Sequence, residues 1–77
     1  MTNRAFLLIE TRAGRAREAV NALKQLEGVE SADTVTGPYD VIAVLEGESL
    51  AAIGDLVTSK INPIPCISRS VTCICLD

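Results

Sequence analysis

Histidine and tryptophan are absent from this 77-residue sequence, and tyrosine and phenylalanine occur once each. Without histidine the chain lacks the commonest general base and the usual partner of a nucleophilic cysteine. It also contains no glycine-rich phosphate loop and no nucleophile-elbow motif, so the sequence predicts a protein that is not an enzyme. Because only 3% of the residues are aromatic, the core must be built from Val, Ile, Leu and Ala.

Long apolar runs and a basic charge balance are also missing. No apolar stretch approaches the roughly 18 to 20 residues that span a bilayer. The apolar stretch behind the first four residues is too short for the core of a signal peptide. The formal net charge of −3 gives no overall attraction for nucleic acid. We therefore expect no membrane association and no direct contact with nucleic acid.

The three cysteines, Cys66, Cys73 and Cys75, are an odd number in a chain without a signal peptide. This combination predicts reduced thiols and a cytoplasmic location. Cys73 and Cys75 lie on one face of a predicted strand, as a soft metal would require, but further ligands at the usual spacing are missing. We therefore expect small buried hydrophobic residues here, with no metal and no cofactor.

Hydrophobic residues make up 48% of the sequence, and most of them are aliphatic. Their spacing predicts four strands and two helices. The predicted strands cover residues 5–9, 29–36, 41–45 and 67–76. Apolar residues at helical spacing predict helices over 15–27 and 50–61. Gly28 is expected as the left-handed C-cap of the first helix, and Ser49 as the N-cap of the second.

The order of these elements is βαββαβ, with two similar halves. Two helices cannot cover both faces of a four-stranded sheet, so the compact solution is an α+β ferredoxin-like plait with sheet order 4-1-3-2. This order makes strands 5–9 and 41–45 central, and these are the two runs that are apolar on both faces. Their second faces would be exposed in a monomer, so we expect a homodimer with α/β-barrel-like, sheet-on-sheet packing.

The segment Gly37-Pro38-Tyr39-Asp40 separates the two middle strands. Pro38 presets a turn, Gly37 tolerates unusual dihedral angles, and Asp40 can accept hydrogen bonds from nearby backbone amides. A hairpin needs no more than this, whereas a tyrosine adds little to a turn unless its ring packs on something. The residues alone leave both a structural turn and a binding site open.

Arg12, Arg15 and Arg17 cluster at the start of the first predicted helix, where cations oppose the helix dipole. A bound anion, acidic residues of a neighbouring subunit and plain solvation all fit this pattern. Exposed ion pairs are energetically small, which favours solvation.

The stretch TGPYDVIA, from Thr36 to Ala43, resembles a signature of the ligand-binding domain of Lrp/AsnC (feast/famine) transcription regulators, also called the RAM domain. In that family the signature joins the second and third strands. Residues 5–9, 26–29 and 67–72 agree with the same family. The resemblance extends over nearly the whole chain and implies a single RAM-type domain over residues 1–77.

The resemblance implies a non-enzymatic sensor of small molecules whose dimers assemble into a ring, often an octamer or decamer. An amino acid or related metabolite would bind between dimers. By position in the family, the ligand contacts are Gly37, Pro38, Tyr39, Asp40, Ser70 and Thr72. Backbone amides and the two hydroxyls would hold an α-carboxylate, and Asp40 would receive an α-ammonium group.

Full-length members of the family carry an N-terminal helix-turn-helix, for which four residues before the first strand leave no room. The chain therefore resembles the stand-alone RAM proteins, and its sensing would modulate regulators of the same family. Two alternatives remain: a purely structural partner that co-assembles with full-length regulators, and an ACT-like regulatory domain. The Gly-Pro-Tyr-Asp turn favours the RAM domain over the ACT-like one.

Overall fold

The computed structural model describes residues 2–76, which form one four-stranded antiparallel sheet and two helices. The strands are β1 (Asn3–Thr11), β2 (Val29–Thr34), β3 (Val41–Gly47) and β4 (Ile67–Ile74). The helices are α1 (Ala16–Lys24) and α2 (Leu50–Asp55), and α2 continues into a π-helical turn at Leu56–Ile61. The sheet order β2-β3-β1-β4 is the predicted 4-1-3-2 order read from the other edge, which confirms the ferredoxin-like fold.

The core lies between the sheet and the helices. Over residues 5–9 of β1 and 41–45 of β3, every second residue faces the helices and is fully buried, as the double-sided apolar pattern of these segments predicts. The buried residues of the two central strands are Ala5, Leu7, Ile9, Val41, Ala43 and Leu45. The helical residues packed on them are Ala19, Val20, Leu23, Ile53, Val57 and Ile61. Aliphatic side chains, together with Cys66, therefore build this core, and no aromatic side chain is among its buried residues.

The helices cover the sheet unevenly. α1 packs on β2 and β3, and α2 packs on β3 and β1, whereas neither helix packs substantially on β4. The residues of β4 that lie opposite the buried residues of β1, namely Ser70, Thr72 and Ile74, therefore remain partly or fully exposed. On the helix side of the sheet, where the central strands form the core, the edge strand β4 thus has accessible polar side chains.

The two predicted helix caps have different outcomes. Ser49 is the N-cap of α2, because its Oγ accepts a hydrogen bond of 3.0 Å from the backbone N–H of Ala52. Gly28 is not the C-cap of α1, and that prediction is wrong. The helix ends at Lys24 with Gln25 as its C-cap, because the chain must turn back before it enters β2.

Gly28 instead makes the connection into β2 possible. Its φ of +97° lies in the left-handed region, and a Cβ there would come within 2.9 Å of Leu56 Cδ2. Its carbonyl accepts a hydrogen bond of 2.8 Å from the N–H of Glu46. The left-handed backbone therefore favours glycine here, and the close approach of Leu56 adds to this preference.

We expect Gly28→Ala to lower the free energy of unfolding by about 1 to 3 kcal/mol, because it adds both backbone strain and a clash with Leu56. Urea unfolding at a fixed protein concentration measures the change. Gly54→Ala is the matched control, since a Cβ at this position in α2 meets nothing within 4 Å. It should raise the stability by roughly 0.5 to 1 kcal/mol. Equal effects of the two changes would contradict the packing role of Gly28.

Candidate ligand-binding site

Asp40 holds the turn between β2 and β3 against the end of β1 through one hydrogen bond that it donates and one that it accepts. A third hydrogen bond lies within the turn itself. The N–H of Asp40 donates to the carbonyl of Ile9 at 2.8 Å, and the carbonyl of Asp40 accepts from the N–H of Val35 at 2.9 Å. The carboxylate oxygen Oδ2 of Asp40 accepts from the N–H of Thr11 at 2.8 Å. Asp40 therefore fixes the position of the turn with both its backbone and its side chain.

The rest of the turn is open. Gly37 has a φ of +116°, and a Cβ at this position would meet nothing within 4 Å. Pro38 is exposed, and Tyr39 is half-buried. The left-handed backbone accounts for the glycine, because other residues adopt that conformation only at a cost in energy. One accessible and well-anchored turn thus contains the four predicted contacts of this segment, Gly37, Pro38, Tyr39 and Asp40.

Ser70 and Thr72 lie elsewhere in the same chain. The register places Ser70 opposite Ile9 and Thr72 opposite Leu7, so β1 separates both hydroxyls from β3 and its turn. Ser70 lines a groove of about 220 Å³ whose other lining residues are Asn62, Ile67, Ser68 and Arg69. One protomer therefore does not join the turn and the two hydroxyl-bearing residues into a single pocket.

Asn62 is a residue of this groove that the sequence did not single out. Its Oδ1 accepts a hydrogen bond of 2.9 Å from the hydroxyl of Ser70. In the sequence Asn62 precedes Pro63 and marks only the end of a helix, so no local pattern connects it with a residue of β4. The contact depends on how the helix end lies against the sheet edge.

The cysteines have three different environments. Cys66 is buried, and burial raises the pKa of its thiol, with the nearby Glu18 carboxylate raising it further. Cys73 is exposed and Cys75 is half-buried, so the prediction of small buried residues is correct for Cys66 and wrong for Cys73. Cys73 is exposed because it lies on the side of the sheet that no helix covers. Within residues 2–76, no three potential metal-binding side chains come together.

Two of the three arginines near α1, Arg12 and Arg15, have partners within the chain. Arg12 donates through Nε to the carbonyl of Pro65 at 3.1 Å, and Arg15 pairs with Glu18 at 3.1 Å. Arg17 is exposed. Because these contacts are exposed, they contribute little to stability. Arg12 nevertheless joins the loop before α1 to the loop before β4.

The side of the sheet without helices carries an apolar patch, which we call the open face: Phe6, Leu8, Ile42, Val44 and Val71. Phe6 is 42% exposed, and the other four residues are half-buried. The register places Phe6 beside Val44, and places Leu8 between Ile42 and Val71, so the patch is continuous across three strands. The predicted second apolar face of the central strands is therefore present and uncovered in the single chain.

Charged residues border the open face at both ends. At one end Arg69 pairs with Glu10 at 3.1 Å. At the other end Arg4 lies opposite Glu46, whose carboxyl faces that of Glu30. A hydrogen bond to Glu30 raises the pKa of Glu46, and so do the like charge of Glu30 and partial desolvation, whereas Arg4 lowers it. The two carboxyl groups are thus best accommodated when they share a proton.

The sequence profile of the Lrp/AsnC ligand binding domain matches residues 4–77. This chain therefore belongs to the Lrp/AsnC ligand-binding domain family. No functionally curated protein matches it significantly in sequence. Within residues 2–76, neither helix has the length and apolar character needed to cross a bilayer.

Solved structures share the fold over nearly the whole chain. A hypothetical protein from Pyrococcus horikoshii is 34% identical, with 100% of this chain and 92% of that chain covered and a TM-score of 0.91. AsnC from E. coli is 26% identical with a TM-score of 0.91, and the match covers 97% of this chain but 51% of AsnC. A Neisseria meningitidis transcriptional regulator, solved as a complex with L-Met, shares the fold at 19% identity and a TM-score of 0.86. The last match covers 97% of this chain and 50% of the regulator.

The raised pKa of Glu46 predicts a stability that depends on pH. The folded state holds the shared proton more tightly than the unfolded chain, so the Glu30–Glu46 contact is fully favourable below the ordinary glutamate pKa. Its contribution is lost as the pH rises through the higher folded-state value of Glu46. We therefore expect Glu46→Gln to be more stable than the wild type at neutral pH, and the advantage to disappear in acid.

Thermal unfolding midpoints between about pH 4 and about pH 8 measure this difference. Glu27→Gln makes the same chemical change at an exposed residue between α1 and β2 and serves as the control. If Glu46→Gln and the wild type keep a constant difference over the whole range, the shared-proton interpretation is wrong.

Proposed function

We propose that residues 1–77 act as a single RAM-type module that senses an amino acid or a related small metabolite in the cytoplasm. The module is not an enzyme. It forms a homodimer through its open face, and dimers assemble into a ring of the octamer or decamer type. Effector binds between dimers and modulates regulators of the same family.

The open face supports the homodimer. Its five residues form a continuous apolar patch with an exposed phenylalanine at its centre, and the helices of the same chain cannot reach it. Sheets of this kind bury such faces by packing on each other, and a second copy of the chain supplies an identical face. The charged residues at both ends of the patch fit the polar rim of an interface.

The anchored turn is the observation that carries the effector site. Oδ2 of Asp40 accepts a hydrogen bond of 2.8 Å from the N–H of Thr11. Oδ1 of the same carboxylate makes no hydrogen bond among the described residues. A carboxylate fixed through one oxygen offers the second oxygen to an ammonium group at little entropic cost. The open space around Gly37 leaves room for a ligand beside this carboxylate.

The separation of the turn from Ser70 and Thr72 supports a site between chains. β1 lies between these two groups, and a contact that places the turn of one protomer beside β4 of another would join them into one site. This arrangement would make ligand binding and assembly of dimers depend on each other. The complex of the Neisseria meningitidis regulator with L-Met supports an amino acid as the class of effector.

A second candidate function is structural co-assembly with full-length regulators. The match to about half of E. coli AsnC, at a TM-score of 0.91, favours this possibility, because a longer chain contains a domain of nearly the same shape. Mixed assemblies would dilute the longer regulator and change its oligomeric form. Native mass spectrometry of this chain mixed with such a regulator would detect them.

The homodimer is tested by Phe6→Glu. A charge at the centre of the open face cannot be buried without a partner, so we expect the variant to be monomeric at micromolar concentration, where the wild type is at least dimeric. Light scattering measures the mass. Leu50→Glu is the matched control, because Leu50 is 56% exposed but lies at the start of α2, and this variant should keep the wild-type mass. A wild-type protein that is monomeric at this concentration overturns the dimer.

The effector site is tested by thermal unfolding with the individual amino acids at millimolar concentration. At least one should raise the midpoint of the wild type, because a ligand that binds the folded state stabilises it. Asp40→Asn should reduce this shift, since the amide can still accept from Thr11 but offers no charge to an ammonium group. Asp55→Asn, at an exposed residue of α2, should leave the shift unchanged. If no amino acid or related metabolite shifts the wild type, the sensing function is wrong.

A further inference from the structure

The groove beside β4 has a shape and position suited to one small chemical group. Its volume of about 220 Å³ lies between the end of the second helical segment and the edge strand, and the hydrogen-bonded pair of Asn62 and Ser70 forms part of its lining. Neither helix packs substantially on β4, so the groove is open to an approaching molecule. This size accommodates an amino-acid side chain, because one water molecule occupies about 30 Å³ in the liquid.

The π-helical turn determines where Asn62 lies. The N–H of Asn62 donates to the carbonyl of Val57 at 2.8 Å, five residues earlier, and Ile61 is buried in the core. The wider turn adds one residue before the helix ends, which rotates the following side chain around the helix axis. Turns of this kind are rare and are frequently found at functional sites. Here the wider turn brings the Asn62 side chain to the hydroxyl of Ser70.

The hydrogen bond between these residues determines what each still offers. The hydroxyl of Ser70 donates to Oδ1 of Asn62 at 2.9 Å. A serine hydroxyl has one proton, so Ser70 presents only acceptor lone pairs to a ligand, while the Asn62 amide keeps its two N–H donors. The pair therefore presents an acceptor next to a donor, which does not suit a carboxylate on Ser70.

The groove contains no charge that is free to compensate a charged ligand. Asn62, Ile67, Ser68 and Ser70 are neutral, and the guanidinium of Arg69 donates to Glu10 on the other side of the sheet at 3.1 Å. A charged group entering the groove would lose hydration without gaining an opposite charge, whereas a neutral polar group would exchange its water hydrogen bonds for those of the pair.

We propose that Asn62 and Ser70 make this groove selective for an effector whose side chain is polar and uncharged, with a hydrogen-bond donor next to an acceptor. The inference rests on the proposed sensing function and specifies its ligand class. Asn62 is the specificity-determining residue, because it commits the proton of Ser70 and supplies the donor.

Isothermal titration of the wild type with L-glutamine, L-glutamate and L-methionine tests this selectivity, since the three side chains are similar in length. Glutamine should bind most tightly, with glutamate and methionine weaker by roughly tenfold, which corresponds to the loss of about one hydrogen bond. The N–H signals of the Asn62 side chain should shift in the nitrogen–proton spectrum on addition of glutamine and not on addition of methionine.

Asn62→Asp tests the role of the donor. The carboxylate can still accept the proton of Ser70 but has no N–H to offer, so glutamine should bind roughly tenfold more weakly. Asn21→Asp makes the same change at an exposed residue of α1 and should leave the affinity unchanged. Ser70→Ala provides a second variant that removes the acceptor without adding a charge.

The outcomes separate this inference from the proposed function. Glutamate or methionine binding as tightly as glutamine overturns the selectivity and leaves the sensor intact. So does an Asn62→Asp protein that binds glutamine with the wild-type affinity. If none of the twenty amino acids binds the wild type, both the sensing function and its ligand class are overturned.

Discussion

The sheet has helices on one side only, and the rest of the structure depends on this constraint. Two short helices can cover the central strands but not β4, and they leave the opposite side of the sheet bare. Burial of the helix-facing residues fixes the register of β1 against β3, because a slip of one residue would exchange the two faces. The same register gathers Phe6, Leu8, Ile42 and Val44 into the open face.

The incomplete helix layer also explains where accessible polar groups occur. On β4, two of the three residues that lie opposite core positions of β1 are polar, Ser70 and Thr72, and they are compatible with the fold because neither helix packs substantially on this strand. At the opposite edge of β1, the side chain of Asp40 accepts a hydrogen bond from the N–H of Thr11 and holds the β2–β3 turn. Candidate ligand contacts therefore lie on both sides of one central strand, and β1 sets the distance between them.

Sequence reasoning was most successful where periodicity was strong. The double-sided apolar pattern of residues 5–9 and 41–45 predicted the two central strands, because a strand that is apolar on both faces belongs at the middle of a sheet, where both faces can be covered. The Ser49 cap followed from local chemistry. The Gly28 cap did not, because the end of α1 is decided by the return of the chain to the sheet and by the packing of Leu56.

The sequence by itself determined the order of strands and helices, the aliphatic character of the core and the position of the β2–β3 turn, since each follows from residue types that are close together in the chain. Only the tertiary structure decided that Asn62 meets Ser70, that Glu46 faces Glu30, and that the turn and β4 are separated by β1. These contacts join residues from different strands and helices. The strand register and the angle at which a helix ends against the sheet determine which residues meet. Neither the register nor this angle can be predicted from a local pattern of residues.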